Sequence, residues 1–261
     1  MDKILRTGQL FFGIAIAASG VENLICARLG LTVRDIPWFP TSSILGYITG
    51  VALIVAGLSI AANLRVRLSA TLLGILFLLY VLLLEVSKVV AKPKDLSVRT
   101  VFFEALAICG AAFTLAATLP VANSGRSADS LLNKLPASGP YLFGVSSMVF
   151  GIDHFLILAF IASLVPAWMG GGVFWEYLTG AAFVSAGISI VAKRLDQWAA
   201  GLLGIMFLLW FLLLHSPRVV AAVRSHSPNA QNEWSSAFIA LAMCGGSWIC
   251  ALHARNRGRV A

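Results

Sequence analysis

Hydrophobic residues follow one another along most of this chain in long continuous runs, and short polar segments separate the runs. A helix needs roughly 20 consecutive apolar residues to cross a hydrocarbon layer of about 30 Å. Because the runs are continuous rather than alternating, they predict membrane-spanning helices and not the strands of a barrel. The expected fold class is therefore all-α, a polytopic membrane protein with about eight transmembrane helices. The predicted spans lie near residues 8–28, 43–63, 68–90, 101–121, 140–164, 173–192, 197–216 and 234–253.

The pattern repeats itself after about 130 residues. Matches that keep the same order with almost no gap are typical of a duplicated unit. Each copy holds an even number of predicted helices, so both copies enter the membrane from the same side, and two parallel four-helix repeats are expected. The matching segments are "GVEN" at 20–23 with "GIDH" at 151–154, "YITG" at 47–50 with "YLTG" at 177–180, and "LLGILFLLY" at 72–80 with "LLGIMFLLW" at 202–210.

A polar stretch separates the two copies. Residues 123–139 read "NSGRSADSLLNKLPASG", a composition typical of a linker. The expected organisation is a first four-helix unit over residues 1–122, the linker, and a second four-helix unit over residues 140–261.

The composition supports a membrane environment. Hydrophobic residues make up 59% of the chain and charged residues 11%, whereas soluble domains carry about 25% charged residues. The net charge of +8 would suit nucleic-acid binding in a soluble protein. Here the Lys and Arg residues lie in the segments between apolar runs, as they do at membrane boundaries. We therefore expect the lipid bilayer as a partner and no nucleic acid.

The distribution of Lys and Arg predicts the orientation. The N-terminus, the even-numbered connections and the C-terminus carry about 11 basic residues, against about 8 on the other side. Because cytoplasmic segments are richer in Lys and Arg, both termini are predicted to be cytoplasmic. The expected location is a multi-pass position in a bacterial cytoplasmic (inner) membrane.

Ionisable and amide side chains inside the apolar runs are the candidates for chemistry. A charged side chain at the bilayer centre costs about 2.5 to 3.5 kcal/mol on insertion scales, so such residues indicate function. With alternating helix directions, all of them fall toward the non-cytoplasmic helix ends, which predicts a polar cavity in each four-helix unit, in the outer half of the membrane and open toward the non-cytoplasmic side. The candidate cavity residues are Glu22, Asn23, Glu85, Glu104, Asp153, His154, Glu176 and His215.

His154 and His215 have several interpretations. A protonated imidazole beside Asp153 could relay protons, and two neutral imidazoles could hold haem iron or another metal. The structural alternative for His154 is a buried hydrogen bond. His215 precedes Ser216-Pro217 and is predicted to lie in the last turn of its helix, where a histidine satisfies free carbonyls.

A paired-histidine site could exist only once. The first copy has Asn23 and Glu85 at the positions of the two histidines. We expect His154 and His215 to approach a common polar cavity, together with Asp153 or Glu176, because polar groups that share a cavity satisfy one another away from lipid. The cysteines lie in apolar surroundings without metal-ligand spacing, so no metal site is predicted from them.

The second half resembles DoxX-like membrane proteins, over roughly residues 140–253, and the first half resembles them more weakly through the repeat. The resemblance implies four-helix units similar to the DoxD subunit linked to thiosulfate:quinone oxidoreduction, to methylamine-utilisation membrane proteins and to cargo-receptor relatives. The family's Gly-x-acid-His motif maps onto Gly151, Asp153 and His154, and its His-x-Pro motif onto His215 and Pro217. The motifs are "FGIDHFL" at 150–156, "LVPAW" at 164–168, "YLTG" at 177–180 and "AAGLLGIMFLLWFLLLHSP" at 199–217.

Three functions are compatible with these features. The resemblance and the polar cluster favour a redox-associated membrane subunit that contacts quinone or a membrane redox partner. The alternatives are a carrier or binding protein for a small or lipid-like molecule, and a structural or assembly subunit without its own ligand. The chain contains no P-loop, H-E-x-x-H, G-x-S-x-G or dinucleotide motif, which argues against a hydrolase or kinase. The sequence identifies no cofactor, and whether the protein is an enzyme stays open.

Overall fold

A computed structural model of the chain describes residues 3–29, 43–120 and 134–258. The regular secondary structure in these ranges is helical throughout. Eight helices in them are long and apolar enough to cross a bilayer, as the continuous apolar runs predict. They are α1 (Lys3–Leu29), α2 (Ser43–Ala61), α3 (Val66–Ala91), α4 (Leu96–Thr118), α5 (Leu135–Leu156), α6 (Gly172–Ala192), α7 (Asp196–Arg224) and α8 (Ala230–Arg257).

Helix boundaries differ from the predicted spans around α5. The predicted linker falls outside the described residues as far as 133, and its last residues already belong to α5, which begins at Leu135. The span predicted to reach residue 164 ends at Leu156. Ile157 leaves the helical conformation, with φ −119° and ψ 33°, and a separate short helix follows over Leu158–Ala162. A hydropathy window does not detect this break, because apolar residues continue across it.

α7 is longer than predicted. It continues to Arg224, so the prediction that His215 lies in the last turn of this helix is wrong. His215 ends a π-helical turn, and Pro217 stands in the first turn of the α-helical segment that follows. Within this continuous helix Pro217 removes one backbone hydrogen bond, and it follows the π turn directly, where the hydrogen-bond ladder is already irregular.

α3 and α7 share this irregularity. Each contains a five-residue π-helical turn, Val81–Glu85 in α3 and Phe211–His215 in α7. A π turn inserts an extra residue, changes the direction of the side chains that follow, and is frequent at functional sites. Glu85 and His215, two of the candidate residues, are the last residues of their turns.

The eight helices pack in chain order around a closed ring, and two of them, α4 and α8, also meet across its centre. Each helix contacts the next along the chain, and α1 packs against α8, which closes the ring. Burial agrees with this order, because 72% of the α8 span is buried, against 28% for α2 and 22% for α7.

Glycines set the closest helix contacts. A Cβ atom added to Gly20 would lie 2.7 Å from the carbonyl oxygen of Gly50, and one added to Gly151 would lie 2.6 Å from that of Gly180. Small residues at such crossings let helix backbones touch, which is how helices associate in lipid. Because α1 meets α2, and α5 meets α6, in antiparallel fashion, these contacts also fix which helix ends lie together.

Large apolar side chains cover the outside of the bundle, among them Leu72, Val90 and Leu202. A soluble protein would leave such a surface in contact with water at a large cost in free energy. With eight spanning helices and this surface, the chain is a multi-pass integral membrane protein.

Candidate functional site

The candidate residues lie toward one end of the bundle. The helices alternate in direction, so the C-terminal halves of α1, α3, α5 and α7 meet the N-terminal halves of α2, α4, α6 and α8; we call this the polar end. Glu104 and His215 are half-buried there, and Glu104 lies within electrostatic range of Tyr80. The other six candidates are at most 8% exposed: Glu22, Asn23, Glu85, Asp153, His154 and Glu176.

Glu22 joins α1 to α8. Its Oε1 atom accepts a hydrogen bond from Gln231 Nε2 at 3.0 Å and another from the Ser235 hydroxyl. Its Oε2 atom is buried and has no partner among the described residues. The carboxyl group therefore connects the first half of the chain to the second.

Asp153 makes the corresponding connection between α5 and α4. Arg99 Nε donates to Asp153 Oδ2 at 3.3 Å, and Arg99 Nη2 donates to Oδ1. Glu22 and Asp153 are 131 positions apart, the spacing of the repeat, and each contacts the last helix of the other half. Arg99 has no sequence signal that marks it as a partner of Asp153, because an arginine near a helix start is typical of a membrane boundary. Because Arg99 pairs with Asp153, the Asp153 carboxylate interacts with a cation and is not available to His154 alone.

His154 lies among aromatic side chains. Its Nδ1 atom is 2.7 Å from the carbonyl oxygen of Phe150, and because a carbonyl only accepts, Nδ1 carries the proton. The ring stacks on Trp210, with centroids 5.7 Å apart and an interplanar angle of 13°, and contacts Phe183 at 5.1 Å. Nε2 is buried without a partner in the described ranges. In the neutral ring it is an acceptor.

The structure does not join His154 directly to the other polar groups of the second half. His215 makes no hydrogen bond to His154; it lies within electrostatic range of Arg218 and Glu233, which pair at 2.7 and 2.8 Å. Glu176 Oε1 is buried and unpartnered among the residues described. A cavity shared by the two histidines stays a prediction.

The first half holds a second set of hydrogen-bonded polar side chains, around Asn23 and Glu85. Asn23 Nδ2 donates to the Thr49 hydroxyl at 3.3 Å. Glu85 Oε1 accepts from the Tyr80 hydroxyl at 2.7 Å and from Lys88 Nζ at 2.6 Å. Within the part of the chain that the structure describes, Asn23 Oδ1 and Glu85 Oε2 are buried without partners. One acceptor oxygen is thus left over on the partner of the α2 residue Thr49, and another on the partner of the α3 residue Tyr80.

A cleft lies between α2 and α3 at this place. Its volume is about 30 Å³, which exceeds the 10 to 15 Å³ that a water-sized group needs. Thr49 and Tyr80 supply hydroxyl groups, and both are half-buried, so they lie at its mouth. The cleft is lined by Thr49, Leu53, Leu76, Phe77 and Tyr80. We call it the α2–α3 cleft.

The same place in the second half is filled. His154, Phe183 and Trp210 pack on one another there, all with ring centroids within 5.7 Å. In the alignment of the halves, these three residues replace Asn23, Leu53 and Tyr80. The sequence hypothesis centred on the histidines of the second half, whereas the open space is in the first half. The difference depends on the contact of three side chains from three helices, which alignment alone does not show.

The described ranges contain no group of three His, Cys, Asp or Glu side chains placed to hold one metal ion. The fold and the buried polar groups define the class as a polytopic membrane protein with a polar end. No family model, curated protein or solved structure matches the chain.

Proposed function

We propose that this chain is a DoxX-like membrane protein of two parallel four-helix units, and that its α2–α3 cleft binds the head group of a lipid-soluble molecule. A quinone is one chemical example of such a molecule. The proposed location is a bacterial inner membrane, with the polar end on the non-cytoplasmic side. A bound quinone would make the chain a redox-associated subunit, and a non-redox lipid would make it a carrier or binding protein.

Contacts that recur between corresponding helices of the two halves support the two-unit organisation. Equivalent glycines and carboxyl groups make corresponding contacts in the two halves, and α3 and α7 have π turns at equivalent positions. In each half, an aromatic ring from the last helix covers a glycine of the third helix. A parallel repeat predicts all of them at once. The pairs are Gly20–Gly50 with Gly151–Gly180, Phe113–Gly74 with Trp248–Gly204, Glu22–Ser235 with Asp153–Arg99, and the turns Val81–Glu85 with Phe211–His215.

The observation that carries the binding proposal is the cleft together with two unpartnered buried oxygens, on side chains that hydrogen-bond to its lining residues Thr49 and Tyr80. A buried polar atom without a hydrogen bond costs several kcal/mol in an apolar medium, where lipid offers no replacement for water. Asn23 Oδ1 and Glu85 Oε2 are such atoms. A ligand hydroxyl would satisfy either oxygen, and a ligand carbonyl would accept the second N–H of the Asn23 amide.

The size of the cleft limits what enters it. About 30 Å³ holds one carbonyl or hydroxyl group. The rest of the molecule would lie along the groove between α2 and α3, against the half-buried Leu76 and the lipid. This geometry suits a long apolar molecule with a small polar head.

Filling the cleft tests the proposal. Leu53→Phe introduces the residue that the second half carries at this position, and the ring would occupy the cleft. Decylubiquinone and its quinol should bind the wild type in detergent, and Leu53→Phe should lower the affinity at least tenfold. Leu72→Phe is the matched control, because Leu72 is 55% exposed on the outside of α3; its affinity should be unchanged.

Identification of co-purified lipids by mass spectrometry separates the alternatives. A quinone retained by the wild type and lost from Leu53→Phe supports the redox-associated role, and another lipid with the same behaviour supports a carrier. Equal retention by both proteins, with equal melting temperatures, would overturn the assignment of the cleft. A wild type that binds no lipid-soluble molecule would leave the structural-subunit interpretation.

A further inference from the structure

The end of the bundle opposite the polar end has a groove of its own, with a volume of about 610 Å³. It lies between the α6–α7 turn and the last turn of α8. We call it the basic groove; the residues used below are Lys193, Leu195, Asp196, Trp198, Arg255 and Arg257.

The groove has a positive charge balance. Three cations, Lys193, Arg255 and Arg257, line it together with one carboxylate, Asp196, which leaves a net charge of three minus one, or +2. Arg257 Nη2 pairs with Asp196 Oδ2 at 2.6 Å. Lys193 Nζ lies 5.1 Å from the centre of the Tyr141 ring. The charge of Asp196 is neutralised by Arg257, so the net positive charge of the groove comes from Lys193 and Arg255. This net charge attracts an anion.

Apolar side chains stand beside these charges. Leu195 is 76% exposed and Trp198 is 69% exposed. Leu195 has a left-handed backbone conformation, with φ 55°, in the short turn that joins α6 to α7. An exposed tryptophan near a helix end is typical of the interface between head groups and acyl chains. The groove thus combines cations with an apolar rim.

We propose that the basic groove binds the phosphate-bearing head group of an anionic phospholipid, with the acyl chains beside Leu195 and Trp198. Basic pockets between spanning helices bind such head groups through charge and hydrogen bonding. The site is independent of the α2–α3 cleft, because it lies at the other end of the bundle and in the second half.

The described residues of the first half differ at the equivalent place. Asn63 occupies the position of Lys193 in the equivalent turn. The nearby Arg67 already donates from Nη1 to the carbonyl oxygens of Ala116 and Leu119, both at 2.7 Å, at the end of α4. α8 instead continues to Arg257 and brings two arginines to the groove. The groove that carries this proposal therefore belongs to the second half.

Native mass spectrometry of the full chain, stripped of lipid and titrated with dioleoylphosphatidylglycerol or dioleoylphosphatidylcholine, tests the proposal. Lys193→Gln should weaken phosphatidylglycerol binding about fivefold, and Lys193→Gln with Arg255→Gln about 25-fold, from the usual contribution of a cation near an anionic lipid. Arg194→Gln is the matched control: it removes the same charge from the same exposed turn but does not line the groove.

The outcomes distinguish the sources of phosphate. Tighter binding of phosphatidylglycerol than phosphatidylcholine, with a smaller effect of Arg194→Gln than of Lys193→Gln, supports the site. Equal effects of these two substitutions would show diffuse surface attraction and overturn it, and so would equal affinity for the two lipids. Displacement of phosphatidylglycerol by equimolar inorganic phosphate would assign the groove to free phosphate and overturn the lipid proposal. The exposed Lys193 keeps the test valid if the double variant fails to fold.

Discussion

Single residues of the polar end show what a sequence reveals and what it leaves open. Glu22 and Asp153 are recognisable as costly in lipid from the sequence alone, and both are buried. Their partners, Ser235 and Arg99, lie 213 and 54 positions away, and neither has a sequence signal that sets it apart from other helix-start residues. The sequence shows directly which polar residue lies within an apolar run, whereas the partner of that residue depends on how the helices pack.

Breaking the Arg99–Asp153 pair should destabilise the bundle. Arg99→Gln leaves a buried carboxylate without its cation, which typically costs about 3 kcal/mol or more. Asp153→Asn should cost less, because Arg99 is partly exposed and can reach water. The double variant Arg99→Gln/Asp153→Asn should recover part of the loss. Thermal unfolding in detergent measures all three, and an Arg99→Gln protein as stable as the wild type would contradict the pairing.

At the scale of helices, continuous apolar runs predicted all eight spans, because the length and hydrophobicity that a membrane-spanning helix needs can be read directly from the sequence. The break after Leu156 and the passage of α7 through His215 were not predicted. Both depend on the local hydrogen-bond register, which the hydropathy of the sequence does not encode. The π turns escape prediction for the same reason.

Two glycines of α7 test the packing of α7 against α8. A methyl group on Gly204 would lie 2.4 Å from the Trp248 ring, whereas one on Gly201 would meet open space. Gly204→Ala should therefore destabilise the protein by roughly 1 to 3 kcal/mol through overpacking. Gly201→Ala should be neutral or stabilise it by up to about 1 kcal/mol, because alanine favours a helix. Equal melting temperatures for the two variants would show that Trp248 does not cover Gly204.

The whole molecule is a ring in which the halves interlock. The sequence predicted two successive four-helix units, and this division stays a prediction. In the described residues each of the eight helices contacts the next along the chain. The contacts of α1 with α8, and of α4 with α8, join helices from the two halves of the chain and carry no signal in local hydropathy. They place Glu22 and Asp153 between the halves rather than inside one unit.

Orientation in the membrane is tested by cysteine labelling. If both termini are cytoplasmic, Ser225→Cys, in the exposed α7–α8 connection, should react with a membrane-impermeant maleimide in intact cells. Arg194→Cys, in the exposed α6–α7 turn, should react only after permeabilisation. The native cysteines of the described residues are buried and should contribute little background. The reverse pattern would contradict the orientation, and labelling of both from outside would contradict the crossing of the membrane by α7.

The binding of a lipid-soluble molecule between α2 and α3 is tested most directly by photo-crosslinking. A quinone analogue with a diazirine near its head group, added to the wild type in nanodiscs and located by peptide mass spectrometry, should label residues 49–53 and 76–80. Excess decylubiquinone should suppress this labelling, and Leu53→Phe should abolish it. Labelling confined to 179–183 and 206–210 would place the site in the second half, and labelling spread evenly over lipid-facing residues would show that the α2–α3 cleft binds nothing.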